Sequence, residues 1–143
     1  MVFKNKYEKE ILTKDPGNDL YKVININGKT YQGFLVAIYD PSRISIATTQ
    51  YLGKRGEAIT DVAKRENAII AMNAGGFYDP DWNSNGAIPH GTVIQNGNVV
   101  SDFQDANMGG GFIGFTKDDK LLLGKMSKEE AIAKGYRDAV EFG

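Results

Sequence analysis

The chain has 143 residues, 41% hydrophobic and 24% charged, with a formal net charge of −1: one domain's worth of ordinary globular chain. The 17 basic residues are scattered, which argues against nucleic acid or an acidic membrane surface as partner, and no apolar run is long enough to insert directly into a bilayer. There are no cysteines, so disulfide frameworks, zinc–thiolate sites and cysteine nucleophiles are excluded together.

Residues 1–19 are charged and end in the turn cluster "KDPGND"; they read as a lead-in segment, and the opening "MVFKNKYEKE" lacks the apolar core of a signal peptide. From Leu20 the pattern turns strand-like: "LYKVINI" alternates, Asn27-Gly28 is a hairpin signal, and "TYQGFLVAIY" returns. Asp40-Pro41-Ser42-Arg43 makes a second turn into "ISIATT", which predicts a three-stranded antiparallel meander. Between Glu57 and Asn67 the period changes, with Ala58, Ile59, Val62 and Ala63 on one helical face and Asp61, Lys64 and Arg65 on the other.

The run "AIIAM" reads as a buried strand, and it breaks into a long polar, glycine-rich loop, "NAGGFYDPDWNSNG". "GTVIQ" and "NVVSDF" flank Asn96-Gly97 as a second hairpin; "GFIGFT" and "LLLGKM" flank Lys117 to Lys120 as a third. Ser127 and Glu130 have capping-box spacing, and Gly135 stands where a left-handed C-terminal residue belongs, which predicts a helix over 127–135. "YRDAVEFG" reads as a strand beginning, and so abrupt an ending suggests that the domain continues beyond it.

Gly109, Gly111 and Gly114 satisfy G-x-G-x-x-G, but a strand and a turn follow where a dinucleotide site needs a helix, so they read as a glycine loop entering a strand. Asp81, Asn83, Asn85 and Gly86 match the first half of an EF-hand loop. Its twelfth position is Thr92 rather than a bidentate Glu and its flanks are strands, so an EF-hand is rejected and only a looser oxygen-ligand site stays open. His90, the single histidine, reads as an exposed or hydrogen-bonded loop residue rather than a catalytic one, and Trp82 as a sugar-stacking ring or a surface anchor.

The segment from Asn73 to Tyr78 has more to offer. A loop at the end of a buried strand is held rigidly. Gly75 and Gly76 permit unusual backbone conformations and close ligand approach, their N–H groups suit an anion such as phosphate, and Asn73 offers both an amide donor and an acceptor. The alternative is a structural bend in which Asn73 satisfies backbone groups.

"MNAGGFYDP" followed by "GAIPHGTVIQNGNVV" resembles the phosphodiester glycosidase domain of bacterial exopolysaccharide-associated proteins, found also in the mammalian enzyme that uncovers mannose 6-phosphate tags by removing N-acetylglucosamine. The family pattern is Asn, a small residue, Gly and an aromatic, then Pro-x-Gly and an Asn/Asp-Gly hairpin; Asn73, Gly75, Gly76, Phe77, Pro89, Gly91 and Asn96-Gly97 supply it. The resemblance covers residues 20–143 as the N-terminal part of such a domain. The family continues with further strands, an Arg-Thr motif and an Asp-Gly-rich segment, so a second chain completing the domain is one expectation.

The resemblance implies hydrolysis of the bond between a sugar's anomeric carbon and a phosphodiester oxygen, on cell-surface or extracellular polysaccharide. It implies an extracytoplasmic or membrane-anchored full-length protein, and a sugar-phosphate as partner. Asn73, Gly75, Gly76, Phe77, Trp82 and Gly91 are the expected substrate contacts, and Asp79, Asp81 and Glu141 the candidate acid/base or nucleophilic carboxylates. No cofactor and no metal is expected. Three further readings stay open: a non-catalytic carbohydrate- or cell-surface-binding module of the same fold, an inactive fragment of the domain, and a calcium-stabilised structural domain. The expected fold is α+β, a mostly antiparallel or mixed sheet with two helices, as an incomplete domain.

Overall fold

The computed structural model describes residues 4–105 and 109–142; the first three residues of the lead-in lie outside the described residues. The fold is α+β with antiparallel sheets, and the chain divides into two units, one ending at Ile44 and the other beginning at Ser45. No helix among the described residues is long and apolar enough to cross a membrane.

In the first unit, helix α1 (Lys6–Leu12) starts at Asn5, whose side chain accepts the Glu8 N–H at 2.9 Å. It is a third helix, inside the expected lead-in. None of its residues is buried, so no apolar stripe marks it in the sequence, and its short length rests on the cap. Strands β1 (Tyr21–Asn27) and β2 (Gln32–Ile38) pair in the predicted hairpin, from Tyr21↔Ile38 to Asn27↔Gln32, with Ile24 buried.

The third strand of the meander does not form. Residues 44–49 spend their polar groups elsewhere: Ile46 N–H goes to the Asp138 carboxylate at 3.3 Å, and Thr48 O accepts from Arg65 Nη2 at 2.8 Å. Arg65 ends helix α2 (Ile59–Arg65) and pairs with Glu57 at 3.0 Å. That hydrogen bond, with burial opposing it and Gln50 assisting, draws the Glu57 carboxyl down to about 2.

The second unit is built on a five-stranded antiparallel sheet, from β3 (Gly91–Gln95), β4 (Asn98–Phe103), β5 (Gly111–Thr116), β6 (Leu121–Lys125) and β7 (Tyr136–Phe142), in the order β4-β3-β7-β5-β6. Both predicted hairpins are present, and the last strand inserts between them. Asn96 (φ 50°) and Gly97 (φ 75°) make the tight first turn. β5 lies so close to β7 that a Cβ on Gly114 would overlap the Asp138 carbonyl oxygen. The glycine that completed the dinucleotide-like pattern is thus a packing residue.

Helix α3 (Lys128–Ala133) carries the predicted capping box, Ser127 and Glu130 each bonding the other's backbone N–H. Its Ala131 packs with Ile94, Phe112, Tyr136 and Ala139 as the core. Ser127→Ala should lower stability by about 1 kcal/mol, read as a shift of the urea midpoint with unchanged slope.

The "AIIAM" run is a correction: residues 68–72 form no strand, and Ile69 and Met72 are 63% and 83% exposed. β7 takes the centre of the sheet instead, and no described strand runs beside 68–72. A short apolar run does not by itself specify a ladder.

Candidate functional site

Residues 76–78 and 88–90 run antiparallel as a short bridge: Tyr78 N–H donates to Ile88 O at 2.8 Å and His90 N–H to Gly76 O at 3.0 Å. The loop between them is stapled to the turn at 51–56. Gly53 N–H reaches Ala87 O at 2.9 Å, Gly56 N–H reaches Asn85 O at 2.7 Å, and Asn85 Nδ2 reaches Lys54 O at 2.9 Å. The polar loop is therefore a fixed wall. It encloses a solvent-open groove of about 410 Å³ lined by Tyr78, Asp81, Asn83, Ser84, Asn85 and Ile88 among others.

Asn73, Gly75 and Gly76 precede this wall and are all exposed. Among the described residues the Asn73 side chain makes no hydrogen bond, and the N–H groups of Gly75 and Gly76 have no partner. Neither glycine adopts a positive φ. A Cβ on Gly75 would come no nearer than 3.8 Å to Val140, and one on Gly76 no nearer than 3.9 Å to His90. The backbone conformation here does not demand glycine, contrary to part of the sequence argument; the open approach remains.

The other expected contacts are dispersed around the loop. Phe77 is half exposed, and Gly91 is buried at the start of β3 with φ 73°. Trp82 is 93% exposed and holds φ 55°, a left-handed conformation uncommon for a bulky side chain. Of the carboxylates, Asp81 stands exposed on the groove, whereas Asp79 Oδ1 accepts the Ser84 N–H at 2.8 Å.

Glu141 is not brought into this group. Gly75 lies against Val140, and the next residue of a strand points to the opposite face, so Glu141 sits on the α3 side. There it is 6% exposed and accepts the Thr92 N–H and Gln104 Nε2, each at 2.8 Å. Thr92 Oγ1 donates to Asp102 at 3.1 Å, and Asp102 pairs with Lys128 at the head of α3. Burial pushes the Glu141 carboxyl up, but the hydrogen bonds from Gln104 and Thr92 outweigh it and hold it below the usual range.

A family model described as phosphodiester glycosidase matches residues 66–143, more than half of the chain, and takes in the Asn73–Gly76 loop, the groove and the whole five-stranded sheet. The chain belongs to the phosphodiester glycosidase family. Membership implies a sugar-containing substrate. No curated protein and no solved structure matches the chain. Within this phosphodiester glycosidase region the pairing that sequence reasoning missed is His90 with Asp105, whose Nε2 and Oδ2 are 2.6 Å apart. The Asn96-Gly97 turn held a signal for it. Extending the hairpin register backwards from Gly91↔Phe103 places position 90 beside 104–105.

Proposed function

We propose that this chain hydrolyses sugar-1-phosphodiesters, with Asn73, Gly75 and Gly76 receiving the phosphoryl group and the groove beside Tyr78 receiving the sugar. The observation that carries the proposal is the pair of exposed glycines that neither backbone angle nor packing requires. Their N–H groups offer donors to an anion, and the absent side chains let it approach. Asn73 adds an amide donor. Asp81, Asn83 and Asn85 give the groove the acceptors and donors that sugar hydroxyls need, and the left-handed Trp82 beside it is conformational strain of the kind found at ligand contacts.

In the reaction the anomeric C–O bond breaks and a phosphomonoester departs, a leaving group that needs little protonation. The Gly75 and Gly76 N–H groups stabilise its charge as it develops. Asp81, open on the groove, stabilises the positive charge growing on the sugar ring. The substrate's location on extracellular polysaccharide, and so an extracytoplasmic site of action, belongs to the same proposal.

Asn73→Ala and Gly76→Ala should each leave the melting temperature unchanged while lowering kcat/KM on sugar 1-(methyl phosphate) diesters about 10- to 100-fold, the first by removing a hydrogen bond to a charged group and the second by setting a methyl in the anion's path. Full activity in both variants would remove the loop from the site. Binding of the diesters without release of free sugar would favour the binding-module reading.

A further inference from the structure

His90 and Asp105 form a titratable pair beside the Asn73–Gly76 loop. His90 sits directly against it through the N–H bond to Gly76 O at 3.0 Å. The half-buried imidazole leans on Tyr78 (ring centroids 6.3 Å apart) and Phe103 (6.1 Å). Across the hairpin, Asp105 holds Nε2 at 2.6 Å.

We propose that His90, oriented by Asp105, is the base that takes the proton of the hydrolytic water; this rests on the phosphodiester reading of the loop. An ionised carboxylate can only accept, so Nε2 carries the proton and the lone pair of the neutral ring lies on Nδ1. Nδ1 is the ring nitrogen nearer the backbone, whose N–H bonds Gly76 O, and it has no partner among the described residues. Among the described residues, the titratable groups against the ring are Asp105, following β4, and Tyr78, from the bridge segment. Asp105 is a positioning residue: it fixes the tautomer and stabilises the imidazolium that forms. Of the carboxylates expected to do this work, Asp79 is bonded to Ser84 and Glu141 lies on the other face of the sheet, which leaves Asp81, open on the groove, for the charge on the sugar ring.

The step balances. Water oxygen bonds to the anomeric carbon as the C–O bond to phosphorus breaks and its electron pair leaves with the phosphate. The water proton passes to Nδ1 and then to solvent.

His90 is the single histidine, so ring nitrogen NMR reads it without assignment. The neutral ring should be protonated on Nε2, and Asp105→Asn should mix the tautomers. In pH–rate profiles on a panel of sugar 1-(methyl phosphate) diesters, the wild type should lose activity on the acid side as the base is protonated. His90→Gln should lower kcat about 100-fold or more, with little change in KM, and abolish that limb. Asp105→Asn should lower kcat while leaving the limb in place, because the tautomer is no longer fixed. Wild-type kcat and an unchanged acid limb in His90→Gln would overturn the assignment while leaving the phosphodiester reading intact, as would a neutral ring protonated on Nδ1. Absence of hydrolysis by the wild type across the panel would overturn that reading, and the base with it.

Discussion

Glu141→Ala should destabilise the protein by about 1–3 kcal/mol, measured by urea unfolding, because it strips the buried Thr92 N–H of its acceptor and also removes a partner of Gln104. The Thr92 N–H and Gln104 Nε2 both end on this carboxylate at 2.8 Å, and Thr92 is fully buried. β3 and β7 pair only at Val93↔Val140 and Ile94↔Ala139, so the Glu141 side chain does for Thr92 what a ladder bond would otherwise do. Glu141→Gln keeps an acceptor but loses the charge, and should cost roughly half as much. The pH dependence has a definite sign. The folded carboxyl lies below its ordinary value, so the group stabilises the fold above the unfolded pKa of about 4.3, and that contribution is lost as pH falls through the folded value. Asp102, held low first by Lys128 despite some burial, adds in the same direction. Glu141→Ala should therefore flatten the acid side of the stability curve; an unchanged acid dependence would show that another group governs it.

Gly114→Ala should be the most damaging single methyl in the chain, costing about 3 kcal/mol or more or preventing folding. The new Cβ would overlap the Asp138 carbonyl oxygen and stand 2.6 Å from Ala139 Cα. Both belong to β7, which is hydrogen-bonded on both sides and cannot withdraw. Gly75→Ala provides the contrast, since its Cβ would meet only ordinary contacts at 3.8 Å. Thermal melts of the two variants separate a glycine kept for packing from one kept for access. Equal losses would erase that distinction and with it the main support for the loop's function.

Local chemistry made much of the fold legible. The Asn96-Gly97 turn, the Ser127–Glu130 box and Gly135 announced their elements because each acts within a few residues. What decides the sheet is non-local. Nothing within "YRDAVEF" says that it will lie between two hairpins, and the apolar "AIIAM" is left outside the described ladders. The carboxylate chemistry that the resemblance implies put Glu141 beside the two aspartates as a third candidate. Alternation along β7 sends its side chain to the α3 face instead, one residue after the Val140 that a Cβ on Gly75 would meet. The loop from Asn73 was legible as a candidate by composition, and its glycines gain their meaning only from the angles and contacts observed.

The central claim is that the loop and groove direct cleavage of the anomeric carbon–oxygen bond of a sugar phosphodiester. Hydrolysis in ¹⁸O-labelled water tests it most directly, with products analysed by mass spectrometry. Free sugar and a phosphomonoester without label are the expected result, because water attacks carbon. Label in the phosphate would mean attack at phosphorus, and would contradict the account.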